Sequence, residues 1–131
     1  NPNKRIRNLI GCYSNISLID SPSIEKMERL ISQAKIHVLP TFQSTGMKLK
    51  LIHVLFTKGT VIINSNMITD SELKNCYIIA DTAEEMKNSV VKSFTEPVKD
   101  EVLELRKNLL NQKFSNEENA RELIKNIFAC I

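Results

Sequence analysis

Two short runs, Val61-Ile-Ile63 and Tyr77-Ile-Ile79, are apolar at every consecutive position. A strand with one face in water alternates apolar and polar residues, whereas an unbroken apolar run suits a strand covered on both faces, as in a parallel sheet. Parallel neighbours need a crossover between them, and helical patterns stand at the right places. Residues 36–39 (IHVL) make a third apolar run, and residues 15–20 (NISLID) alternate like a fourth strand before the turn DSPS. Helical spacing appears at 2–13, 23–34, from Gly46 onward, at 83–94, 98–114 and 116–131, while 65–75 reads as a loop with one helical turn. Strand–helix alternation with short loops predicts an open, doubly wound, Rossmann-like α/β sheet of about four parallel strands. Residues 36–39 and 61–63 are expected in its buried middle. The helices after Phe94 are expected to pack across its back.

At 131 residues the chain is expected to be one domain with a real core. The net charge of +3 is mild and the lysines are scattered, which argues against duplex nucleic acid as a partner. Aromatic content of 5% with no Trp argues against base-stacking surfaces and aromatic sugar platforms. Cys12, Cys76 and Cys130 are odd in number, far apart and without a Cys-x-x-Cys pair, so they read as reduced thiols of a cytosolic protein. No apolar run approaches the roughly 18 residues of a membrane span. Asn1 is placed to cap a helix with Pro2 in its first turn. A chain that opens on a helix, with no strand before it, is expected to be a piece of something longer.

In doubly wound sheets ligands sit beyond the carboxyl ends of the strands. Loops 20–23, 40–46 and 64–70 would share that rim. On a helical wheel from Gly46, Leu49, Ile52, Leu55 and Phe56 form the expected buried stripe, and Gly46, Lys50, His53 and Thr57 a neighbouring face. Thr45 is placed to cap the first turn, and Gly46 lets a ligand approach the backbone. The amides of residues 46–49 with the helix dipole would attract phosphate, and Lys48 and Lys50 reinforce the sign. The plainer alternative is an ordinary capped helix with solvated lysines. His37, inside an apolar strand, reads as a hydrogen-bonded core residue. No His, Cys, Asp or Glu spacing suggests a metal site, and no Ser/His/Asp set with a nucleophile elbow occurs. Glu84-Glu85 and Glu117-Glu118 fall in helix first turns, where acids favour the dipole.

Residues 21–66, SPSIEKMERLISQAKIHVLPTFQSTGMKLKLIHVLFTKGTVIINSN, resemble the C-terminal, donor-binding domain of retaining GT-B glycosyltransferases (glycosyl transferases group 1). That family carries a strand ending in Pro-Ser, then Glu-Gly-Phe-Gly-Leu-Pro-Leu-Leu-Glu-Ala, a short spacer with Gly, and a strand of the type Pro-Val-Ile-Ala-Ser. Pro40-Thr41 stands for Pro-Ser, residues 45–54 (TGMKLKLIHV) for the central motif, and Gly59 with residues 61–66 (VIINSN) for the rest, with one extra residue in the spacer. The resemblance extends more loosely over residues 1 to 130. It implies the C-terminal half of a GT-B fold, with an N-terminal acceptor domain as its partner. It also implies transfer of a sugar from a nucleotide diphosphate sugar to a saccharide or lipid-linked acceptor. Donor contacts would come from Gly46, Met47, Lys48, Leu49 and His53. Thr45 takes the place of the family's first glutamate, which contacts the donor sugar, and His53 that of the second, which holds the ribose. No cofactor or metal is implied. The parent would be cytoplasmic, with peripheral association at the inner face of the membrane left open. The rival is a non-catalytic nucleotide-binding or protein-interaction domain that kept the fold.

Overall fold

The computed structural model describes residues 4–46, 48–68 and 70–128. Asn1, Pro2, Met47 and Cys130 lie outside that range, and with them the expected N-terminal cap, one donor contact and one thiol. The chain forms two compact units, Asn1–Leu30 and Ile31–Ile131.

The first unit holds α1 (Lys4–Gly11) and the start of α2 (Ile24–Gln33). Ser23 Oγ accepts the Lys26 amide at 3.3 Å, a first-turn cap without a reciprocal glutamate. Arg7 pairs with Asp20. Between the helices, residues 15–20 do not form the expected fourth strand. Alternation of Ile16, Leu18 and Ile19 satisfies the local condition for a strand, but a strand exists only when a neighbour takes its amides and carbonyls. Among the described residues no strand pairs with them.

The second unit carries a three-stranded parallel sheet in the order β1 (Ile36–Leu39), β2 (Thr60–Ile63), β3 (Ile78–Ile79). His37 lies opposite Val61, and Ile62 opposite Ile78. α3 (Leu49–Leu55) joins β1 to β2, so it runs back from the carboxyl end of one strand to the amino end of the next. Two 3-10 turns, Ser65–Met67 and Ser71–Cys76, join β2 to β3. They are followed by α4 (Ala83–Thr95), α5 (Asp100–Phe114) and α6 (Asn116–Phe128).

β2 is the middle strand and is buried along its whole length. β1 is not in the middle, as expected from its composition, but at an edge, with Val38 41% exposed. Ile78 and Ile79 on the other edge are also partly in water. Val61 and Ile63 turn to one face, where they meet Leu51, Val54 and Leu55 of α3, Leu110 of α5, and Met67, Leu73, Cys76 and Tyr77 from the turns. By the two-residue period Ile62 turns to the opposite face. It too is buried, and α4 packs against β2 and β1. Helices therefore cover both faces of β2.

Polar bonds fasten the layers. Arg106 of α5 is 3% exposed, and its Nε and Nη1 donate to Cys76 O and Gly59 O, each at 2.8 Å. Those two carbonyls lie just before β3 and β2, so one guanidinium fixes α5 to the entrance of both strands. Lys113 pairs with Asp70 and Glu72 and holds the second 3-10 turn to the same helix. At α4, Thr82 Oγ1 accepts the Glu85 amide while the Glu85 carboxylate accepts the Thr82 amide. Glu84, Glu117 and Glu118 stand in first turns, as expected.

Candidate functional site at the carboxyl ends of the strands

β2 and β3 are each followed by a side chain that ties the chain to its neighbours. After β2, the Asn64 amide clamps Thr41, its Oδ1 accepting Thr41 N–H at 3.0 Å and its Nδ2 donating to Thr41 O at 2.7 Å. That pairing extends the β1–β2 ladder by one side-chain rung. After β3, Asp81 accepts both the amide and the hydroxyl of Ser65 at 2.7 Å. The Ser65 amide above all holds the Asp81 carboxyl below its usual range. Sequence reasoning took Asp81, with Thr82, only as a cap of the helix at 83–94 and did not single out Asn64, although each follows its apolar run directly.

From Pro40 the chain loops out to Lys48 before α3 begins. Gly46 has φ +84°, a conformation that favours glycine, and a Cβ there would meet nothing within 4 Å. The glycine is thus required by the turn and leaves open space before the backbone. Lys48 is only 7% exposed, its ammonium donating to Gln43 O at 2.6 Å and Thr45 O at 2.9 Å. It is an internal strut of the loop, and the expectation of an outward cation is corrected. The reason is electrostatic: the turn aims two carbonyls inward, and an ammonium on the next helix edge satisfies both.

The start of α3 also differs from the sequence expectation. The helix begins at Leu49 after Lys48, with no side-chain cap, so Thr45 does not cap it. Leu51 and Ile52 already donate to Lys48 O, and the amides without an intrahelical acceptor are those of Leu49 and Lys50. The buried face is Leu51, Val54 and Leu55, with Ile52 partly buried, while Leu49 is 65% exposed and Phe56 is exposed as well. Leu49, Leu51, Ile52, Val54, Leu55 and Phe56 are all apolar and spread over most of the helix surface, so the pattern alone does not fix which arc faces the sheet. Lys50 and His53 remain exposed on α3, and Thr45 on the loop.

His37 is a buried core residue, as its strand position suggested. Thr57 Oγ1 donates to Val54 O at 2.7 Å, so at 3.0 Å it accepts from His37 Nε2, which fixes the proton on that nitrogen. Burial chiefly, then the Arg106 and His53 charges, lower the His37 pKa. Gly59 sits against this ring, where a Cβ would approach it to 2.8 Å and Ala34 O to 2.7 Å.

Two clefts of the unit lie toward the amino ends of the strands. One of about 380 Å³ is bordered by Phe56, Lys58 and Lys107, the other of about 390 Å³ by Lys35, Phe94 and Pro97. Neither takes in residues 40–48. Among the described residues no cluster of three His, Cys, Asp or Glu could hold a metal ion, and no helix is long and apolar enough to cross a membrane. Cys12 is exposed and Cys76 buried, and neither forms a disulfide. Comparison of the chain with protein families, curated proteins and solved structures finds no match in any of the three.

Proposed function

We propose that the chain is the C-terminal, nucleotide-sugar-binding half of a retaining GT-B glycosyltransferase. The observation that carries it is the Gly46 loop: a left-handed glycine with open space before it, at the carboxyl end of a parallel strand and one turn ahead of a crossover helix. Backbone amides there meet a diphosphate without help from side chains. In this reading the phosphates meet the loop at Gly46 and the free amide of Leu49, and the ribose reaches His53, exposed on the next turn of α3. Lys48 acts through its fixed charge beneath the loop and not by direct contact. In the parent, these groups stabilise the charge that grows on the leaving diphosphate.

The second reading, a non-catalytic nucleotide-binding or protein-interaction domain, has its own support. Residues 41–46 carry no carboxylate, and His53 is not one either. Amide NMR on titration with UDP, GDP and inorganic pyrophosphate tests the site. Shifts centred on residues 45–53 are expected, with affinity on the order of millimolar. His53→Ala should weaken the nucleotides and spare pyrophosphate, which has no ribose. Shifts confined to the helices after Phe94 would sink the donor site and favour the second reading.

A further inference from the structure

Arg106 is a buried cation, yet among the described residues no carboxylate pairs with it. Its Nε and Nη1 bond to two carbonyls, which are neutral, and Nη2 has no acceptor among the described residues. No side-chain nitrogen or oxygen among them is both sealed from solvent and unpartnered, so Nη2 keeps an opening onto the clefts that Arg106 borders. Taking a guanidinium out of water without an anion beside it is costly. Burial accordingly lowers the Arg106 pKa.

One of those clefts lies at the amino ends of β2 and β3, with Val61, Ile78, Val98 and Val102 in its walls. At about 380 Å³ it suits a small ligand. Lys99, the N-cap of α5, also borders it and stands seven positions before Arg106 (106 − 99), about two turns along one face of the helix. Glu96, the acid of this wall, is already paired with Lys92 at 3.6 Å, while Lys99 has no ion pair among the described residues. The other cleft beside Arg106 carries Asp100 and Glu104, which oppose an anion.

We propose that the cleft between β3 and the start of α5 binds a small organic carboxylate, its oxygens accepting from Arg106 Nη2 and the Lys99 ammonium and its apolar body lying against the valines and Ile78. A carboxylate matches the planar guanidinium edge. A phosphate dianion would leave most of its oxygens facing apolar walls. The site is independent of the donor site, which belongs to the opposite ends of the strands.

The 131-residue chain is titrated with sodium benzoate, hexanoate, acetate, benzamide and inorganic phosphate, observing backbone amides and the Arg106 Nε–H by NMR. Benzoate and hexanoate should shift the Arg106 Nε–H and the amides of residues 75–78 and 96–102. Acetate, which lacks the apolar body, and benzamide, which lacks the charge, should bind at least about tenfold more weakly. Lys99→Glu should weaken benzoate about tenfold or more, as losing one charge-assisted contact does. Lys107→Glu, in the other cleft, should leave it unchanged. Removing Arg106 would also remove the clamp on two strands, so Val98→Trp serves instead: it fills the cleft, keeps both carbonyl bonds and should abolish the benzoate shifts. Silence at Arg106 with both carboxylates, or binding that neither Lys99→Glu nor Val98→Trp weakens, would overturn the proposal. Phosphate binding as tightly as benzoate would make this a bare anion site and overturn the carboxylate assignment. Sensitivity to Lys107→Glu in place of Lys99→Glu would put the ligand in the other cleft and overturn it as well.

Discussion

Arg106 looks in the sequence like one more solvated cation on an amphipathic helix. Its burial comes from two carbonyls, Gly59 O and Cys76 O, that lie 17 residues apart in the chain (76 − 59) and share one guanidinium. No local pattern announces such a bond, because its partners are set by the tertiary path. Arg106→Ala leaves both carbonyls without this donor and opens a cavity, and should cost about 3 kcal/mol or more in urea unfolding. Arg106→Lys cannot span both and should recover only part. A loss below about 0.5 kcal/mol for the alanine variant would mean that the clamp is dispensable. His37 carries the matching pH prediction. Its folded pKa lies below the ordinary value, so between that pKa and about 6.5 the unfolded chain binds more protons. Its contribution is therefore complete above about pH 6.5 and lost as pH falls. The urea midpoint should drop on acidification, and His37→Gln should flatten that drop. A drop across this range that the His37 substitution left unchanged would overturn the assignment to His37, since Asp70 and Asp81, held below the ordinary carboxylate range, lose their contribution only at lower pH.

At the scale of elements, the sequence was most informative where the rule is local. Thr82 and Glu85 stand at the spacing of a capping box and make one, and Thr82→Ala should cost about 1 kcal/mol. Val61–Ile63 is apolar throughout because both its faces are covered. Where the rule is non-local, pattern alone misled. Residues 15–20 have the alternation of a strand and no partner to bond with. β1 has the composition of a middle strand, yet it occupies an edge. α3 is apolar at six of the eight positions 49–56, so its pattern does not by itself say which arc is buried. The observed phase makes a sharp test. Leu51→Ala should cost roughly 2–5 kcal/mol, as a buried truncation does, and Leu49→Ala less than about 0.5 kcal/mol. Reversed or equal losses would return the helix to the orientation read from the wheel. The candidate site was legible in outline, since Gly46 and its loop stand on the expected rim. The struts of that loop, Lys48 and Asn64, were not, because they bond to main-chain atoms that the sequence does not distinguish.

At the scale of the second unit, stability should be graded outward from β2. That strand has neighbours on both edges and buried side chains on both faces, so its amides open only when the sheet itself comes apart. α5 is bound into the same body by Leu110 in the core, by Arg106 at the strand entrances and by Lys113 at the second 3-10 turn. α6 packs on α5 but buries none of its described residues, and its ion pairs, Arg121 with Glu117 and Glu118, are exposed. Exposed pairs of this kind add only tenths of a kcal/mol, about 0.3–0.5 each. Native-state hydrogen exchange should therefore rank the amides of Val61, Ile62 and Ile63 slowest, the middle of α5 next, and α6 fastest among these elements. Leu110→Ala removes the side chain that joins α5 to the core, so it should accelerate β2 and α5 together while leaving α6 near its original rate. If α6 proved as protected as β2, it would have to belong to the same cooperative body through contacts other than buried side chains. If Leu110→Ala loosened α5 alone, the sheet and that helix would be separable units, and the Arg106 clamp would carry less of their coupling than its geometry implies.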